Sequence, residues 1–122
     1  MIYNFTINDV PPSSNITERA SYKERAKLRN KWESHFKQAM HAHRIPCAAG
    51  KRKVTYTIWF AYQGSRDPQN YLCKGFIDAM VRSGLIVNDN PTWVELSLPK
   101  IGLEIGNGHT DFTIEDLNGP DV

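Results

Sequence analysis

Residues 54–84 read VTYTIWFAYQGSRDPQNYLCKGFIDAMVRSG, and the fold turns on how this stretch is parsed. Val54, Tyr56, Ile58 and Phe60 alternate with Thr55, Thr57 and Trp59, the period of a β-strand. Trp59 adds an apolar group on the second face, which predicts a strand inside the sheet. Gly64-Ser65 breaks the pattern. Asp67-Pro68 then reads as an N-cap followed by proline at the first helical position. Leu72, Phe76, Ala79 and Met80 supply an apolar stripe, and Gly84 a left-handed stop. The spacing predicts a helix of about 16 residues, roughly 24 Å long at 1.5 Å per residue.

On the N-terminal side, Tyr3, Phe5 and Ile7 alternate with Asn4, Thr6 and Asn8, a half-buried strand. Asp9-Val10-Pro11-Pro12-Ser13-Ser14-Asn15 is a cluster of breakers and predicts a loop. Ser21 and Glu24 form a capping-box pair that opens a helix carrying Leu28, Trp32, Phe36, Ala39 and Met40 on one stripe. Pro46 ends it by about Arg44. On the C-terminal side, the turn Asn88-Asp89-Asn90-Pro91 precedes Val94, Leu96 and Leu98 in alternation. Asn107-Gly108 predicts a hairpin turn before Phe112 and Ile114. Trp32 and Trp59 are core by pattern, and Trp93 is placed at a dimer contact. The expectation is an α+β protein, a small α/β sandwich. Its mixed sheet follows the order strand-helix-strand-helix-strand-strand, with two helices packed on it.

The chain has 122 residues and predicts a single domain spanning 1–122, with Asn118 to Val122 frayed. No apolar run approaches the ~18 residues of a membrane span, and no basic-then-apolar leader opens the chain. The expected location is therefore the cytoplasm, with no membrane partner. Cys47 and Cys73 show no CxxC spacing, and His35, His41, His43 and His109 lack partners at metal spacing, which argues against zinc. The net charge is +2, but it is unevenly divided. Residues 1–53 hold 11 Lys/Arg against four Asp/Glu, and residues 54–122 hold four against nine. Such asymmetry suggests a polyanion partner; a fold that interleaves the two halves into a solvated surface is the alternative.

Chemistry concentrates between Arg66 and Asp89. Asp67 opens the second helix, Asp89 lies in the turn after it, and Asn70, Lys74 and Asp78 recur every four residues along one polar face. A loop returning through 87–90 would set Asp89 beside Asp67. Carboxylates of this kind suit Mg²⁺, which takes hard oxygen ligands and activates water for phosphodiester cleavage, while Lys74 would steady developing negative charge. From spacing alone, the same residues serve equally as a helix cap (Asp67), a surface pair (Lys74 with Asp78) and a turn (Asp89).

The ordered set Arg66-Asp67-Pro68-Gln69-Asn70, Lys74, Phe76-Ile77-Asp78-Ala79-Met80, Gly84-Leu85 and Asn88-Asp89 resembles the signature of RusA-type Holliday junction resolvases. Pro11-Pro12-Ser13-Ser14-Asn15 is similar to that family's proline-proline-serine-asparagine loop. The resemblance covers essentially the whole chain. It implies a homodimeric, Mg²⁺-dependent endonuclease, active also with Mn²⁺, that cuts four-way DNA junctions by paired symmetric nicks. By position, Asp67 matches the first motif carboxylate, Asp89 the turn carboxylate and Asn70 the motif asparagine. Lys74 keeps its spacing to Asp78 and is favoured over Cys73 as the family lysine, one residue being inserted before it. Asp67 and Asp89 are the expected metal ligands, Gln69 a weak one and Asp78 a supporting one.

Two departures matter. Gln69 stands where the family has its second carboxylate, and Asn88 halves the acidic pair of the turn. They motivate an alternative from another class, a junction-binding module of the same fold with little or no cleavage. A small protein-interaction domain fits the composition but leaves the ordered motif unexplained. DNA contact is expected from Arg66 and Asn70 beside the motif, from Arg19, Lys23, Arg25, Lys27, Arg29 and Lys31, and from Lys51-Arg52-Lys53.

Overall fold

The computed structural model describes residues 1–117; the expected frayed tail at 118–122 lies outside the described residues. The chain runs β1 (Ile2–Ile7), α1 (Ser14–Arg19), α2 (Tyr22–Ala42), β2 (Arg52–Phe60), a 3₁₀ turn (Pro68–Tyr71), α3 (Lys74–Ser83), β3 (Val94–Leu96), β4 (Lys100–Leu103) and β5 (His109–Asp116). Five strands form one mixed sheet, and the α+β class expected from the alternation of patterns is the one observed.

Strand order is β1-β5-β2-β3, with β4 continuing β3 along the same edge of β2. β5 runs antiparallel to both neighbours, Phe5 facing Phe112 on one side and Tyr56 facing Phe112 on the other. β3 and β4 are both parallel to β2, at Arg52–Val54 and Thr57–Phe60 respectively. β2 is therefore interior, as its two-faced pattern required.

Helices α2 and α3 lie on one face of this sheet. Trp32, Phe36 and Met40 of α2 and Phe76, Ala79 and Met80 of α3 are buried against Val54, Tyr56, Ile58 and Phe60. Phe76 is the hub, its ring 5.0 Å from Trp32, 5.5 Å from Tyr56 and 5.7 Å from Phe36. Burying each such side chain stabilises the fold by about 1.5–3 kcal/mol. Ser21 caps α2 as its sequence foretold, accepting from the Glu24 N–H at 3.2 Å. Gly84 closes α3 at φ +87°, a conformation that favours glycine, and a Cβ there would also strike the Cys47 sulfur.

Several expectations are corrected. A third helix, α1, occupies residues 14–19, starting inside the stretch read as loop; Ser13 accepts the Ile16 N–H as its N-cap. The long helix expected from Asp67 is broken. A 3₁₀ turn covers Pro68–Tyr71, and α3 starts afresh at Lys74 with ten residues, so Asn70 is not on one helical face with Lys74 and Asp78. The third strand is split at Ser97–Pro99 into β3 and β4.

Asn107-Gly108 is not a hairpin turn, because β4 and β5 lie on opposite sides of β2 and never pair. Residues 104–108 instead cross the end of β2, held by Glu104 N–H to the Phe60 carbonyl (2.9 Å) and Gly106 N–H to that of Ala61 (2.8 Å). Trp59 is not core. It lies half-buried on the sheet face away from the helices, donating its indole N–H to Asp111 Oδ2 at 3.0 Å. Its ring fills the space over Gly102, where a Cβ would come within 2.5 Å of it.

Candidate nucleic-acid interface

Two segments far apart in sequence meet at the start of α3. Ser14 Oγ donates to the Asn70 carbonyl at 3.0 Å, seating the proline-proline-serine loop against the 3₁₀ turn. The Cys73 thiol points at the Pro12 carbonyl (3.9 Å), and the Tyr56 hydroxyl, from beneath, donates to the Tyr71 carbonyl at 3.0 Å. Burial, and then the neighbouring Cys73 sulfur, push the Tyr56 phenol far above its usual range, so it stays a donor. Burial likewise pushes the Cys73 thiol up, which makes it a poor nucleophile.

Beside this junction a groove of about 500 Å³ opens between α1, the first half of α2 and α3. Trp32, Leu28 and Phe76 give it an apolar lining, and Arg25, Arg29 and Lys74 bring positive charge. Asp78 and Glu18 also line it. Lys74 and Asp78, predicted to act together, do share this space. Arg25 and Arg29 belong to the basic set of this helix that was expected to meet DNA. Their signal was present, since they continue the Leu28/Trp32/Phe36 stripe toward the N-terminus of α2, where apolar residues give way to arginines.

Arg66 closes its own loop. Its guanidinium stacks 3.9 Å above the Phe60 ring, and Nη1 donates to the carbonyls of Tyr62 (3.0 Å) and Gly64 (3.2 Å). Asp67 is exposed and caps the 3₁₀ turn, Oδ1 accepting the Gln69 N–H at 3.1 Å. Gln69 is exposed beside it.

Asp89 lies elsewhere. The Asn90 carbonyl accepts the N–H groups of Trp93 and Val94, Trp93 accepts the Arg52 N–H, and Val94 pairs with Arg52, so Asp89 sits by the first residue of β2. Asp67 belongs to the loop anchored on Phe60, the last residue of β2. Eight strand steps at ~3.3 Å put these two anchor points about 26 Å apart. The return of 87–90 toward Asp67 does not occur, because α3 carries the chain to the other end of the sheet. Among the described residues no three His, Cys, Asp or Glu side chains form a group suited to a metal ion. One protomer thus does not bring Asp67 and Asp89 together around Mg²⁺.

The basic residues divide. Arg19, Lys23 and Lys27 are exposed. Lys31 is engaged by Asp9 at 2.9 Å, and His35 holds the same Asp9 oxygen at 3.0 Å. Partial burial opposes ionisation of Asp9, but the hydrogen bonds from Lys31, His35 and the Val10 N–H outweigh it and hold its carboxyl below the usual range. Lys51 is buried. Arg52 is not a phosphate contact: it is 2% exposed and bound to Asp116 (2.7 Å) and to the carbonyls of Leu85 (3.0 Å) and Pro46 (2.9 Å). Lys53 is half-buried on the helix-free face of the sheet.

No known family model matches the chain, and no curated protein is similar enough to be counted a relative. Among the described residues, no helix is long and apolar enough to cross a membrane.

Proposed function

We propose that this protein is a structure-selective endonuclease of the RusA type, a homodimer that engages four-way DNA junctions and nicks them with Mg²⁺ or Mn²⁺. The observation that carries this reading is the Ser14–Asn70 hydrogen bond. It joins the two separate stretches that resemble the family signature and sets them beside a groove furnished with Arg25, Arg29 and Lys74. Exposed Arg19, Lys23 and Lys27 extend the positive surface along α1 and α2. Phosphate contacts of this kind supply most of the affinity for branched DNA.

The positions of Asp67 and Asp89 limit how a metal is held. A divalent ion drawing on both carboxylates belongs between two protomers, Asp67 from one and Asp89 from the other. The same positions, with Gln69 in place of a carboxylate, favour a second reading in which the dimer holds junctions without cutting.

A synthetic four-way junction, incubated with Mg²⁺ or Mn²⁺, separates the two. Symmetric nicks from the wild type that vanish in Asp67→Asn support the nuclease. Tight binding without nicks, with cutting gained by Gln69→Asp, supports the binding module. Loss of binding even at low salt removes both.

A further inference from the structure

The charged side chains packed between elements mostly have partners. Asp9 holds Lys31 and His35, Glu33 holds Lys37 and Arg82 at 2.8 Å each, and Arg52 holds Asp116. The groove between α1, α2 and α3 is different: among the described residues, the side chains of Arg25, Arg29 and Lys74 have no hydrogen bond or ion pair. Exposed cations such as Lys23, Arg25 and Lys74 need none, because water serves them. Arg29 is half-buried, and its Nε is shut off from solvent with no acceptor. Trp32, only 1% exposed and lining the same groove, has an indole N–H that is also buried and unpartnered. Two buried donors without acceptors leave this wall with unmet donor capacity.

The N-terminus of α3 opens onto the same place. Cys73 is its N-cap but makes no side-chain capping bond, its thiol being turned to Pro12. The Phe76 and Ile77 N–H groups fold back onto the Cys73 carbonyl, whereas those of Lys74 and Gly75 have no acceptor among the described residues. Residue 75 is glycine, so no side chain of its own covers this turn. A Cβ there would meet only the Arg29 Cβ, at 4.0 Å, which places the arginine stem directly against the first turn of the helix. Free N–H groups and the positive end of the helix dipole meet the Arg29 stem here, in a groove that Arg29 and Lys74 both line, a combination that suits a phosphate.

We propose that this end of the groove binds a backbone phosphate of DNA, held by the Lys74 and Gly75 N–H groups, Arg29 and the Lys74 ammonium. The assignment of the phosphate to DNA rests on the function proposed above; the anion site itself does not. Asp78 and Glu18 repel an anion from the rest of the groove, which confines the phosphate to the first turn of α3.

The test is amide and indole NMR of the full chain, titrated separately with inorganic phosphate, with the dinucleotide dTpdT and with thymidine, which has no phosphate. Phosphate and dinucleotide are expected to shift the Lys74 and Gly75 amides and the Trp32 indole N–H, and thymidine to leave them unmoved. Arg29→Gln should weaken both ligands by about tenfold or more. Lys74→Gln, at an exposed position that does not threaten folding, should weaken them several-fold. No shift at these three groups at ~50 mM phosphate, far above a ~1 mM Kd, overturns the site. So does equal affinity in both variants. Inorganic phosphate binding without dinucleotide binding overturns the assignment to DNA. Junction binding with these amides unmoved removes the site and leaves the proposed function standing; phosphate binding here without junction affinity does the reverse.

Discussion

Ser14 and Asn70, 56 positions apart in the chain, are joined by one hydrogen bond of 3.0 Å from the serine hydroxyl to the asparagine carbonyl. It fixes the loop after β1 to the turn before α3, so α1 and the first turn of α3 share a groove. Ser14→Ala should cost only about 0.5–1.5 kcal/mol in urea unfolding, the net worth of such a bond. Junction affinity, measured on the same variant, should fall by a larger factor than this stability loss alone explains. Equal affinity in wild type and variant would separate the motif contact from DNA binding.

Asp67 and Asp89 give a test that does not depend on tight binding. If each metal site draws on two protomers, single-strength nicking should reappear when Asp67→Asn and Asp89→Asn chains are mixed and allowed to form heterodimers. One of the two sites then has both carboxylates. If each protomer builds its own site, every site in the mixture is broken and no nicks return.

Arg52 and Lys27 should behave as opposites, although both were expected at a DNA surface. Removing Arg52 leaves the buried Leu85 carbonyl and the part-buried Pro46 carbonyl without their donor and frees the partly exposed Asp116, and Arg52→Ala should lower stability by about 1–3 kcal/mol. Lys27→Ala should stay within about 0.5 kcal/mol of wild type. It should also reduce the slope of log affinity against log salt by about one if Lys27 meets a phosphate. Calorimetry and a salt titration read the two effects separately.

Acid should loosen the molecule through Asp9 and Glu33. Bonds to Lys31 and His35 hold down the Asp9 carboxyl against partial burial, and the Lys37 and Arg82 bonds hold down that of Glu33. Groups lowered in the folded state contribute stability that is complete above the unfolded value of about 4 and is lost as pH falls through the folded one. The Tm gap between wild type and Asp9→Asn should therefore be largest near neutrality and close as pH approaches 2.

Gly102→Ala should destabilise by about 1–3 kcal/mol through overpacking against the Trp59 ring. Combining it with Trp59→Leu should recover part of that loss, since the two residues meet directly. A strictly additive double variant would show that the ring can move aside without cost.

The elements with strong local signals were legible in the sequence. The Ser21/Glu24 box set the start of α2, the Val54–Phe60 alternation gave the interior strand, and Gly84 ended α3. What was not legible depended on partners distant in the chain. Asn107-Gly108 has hairpin chemistry, but β5 finds its place between β1 and β2, and no local pattern encodes that insertion. Arg52 sits in a run of three basic residues that looks like surface; only the fold brings Asp116 and the Leu85 and Pro46 carbonyls around it. Asp67-Pro68 is a sound helix start by local rules, yet the Tyr56 hydroxyl takes the Tyr71 carbonyl and the chain turns once before α3 begins. The groove cations were half-visible, as arginines at apolar-stripe positions.

β1 touches the sheet through β5 alone, and β5 is the last strand described. During synthesis β1 therefore waits for residues 109–116 before it has its hydrogen-bonding neighbour in this sheet. Until then its inward residues Tyr3, Phe5 and Ile7 and one edge of β2 stay open to other chains. Closure requires contacts more than 100 positions apart, such as Ile2 with Glu115, and contacts of that span slow folding. β5 acts as the keystone that joins β1 to the rest of the sheet. A slow refolding phase sensitive to substitutions in β5, and aggregation of nascent chains halted before it, are the kinetic signature of that arrangement.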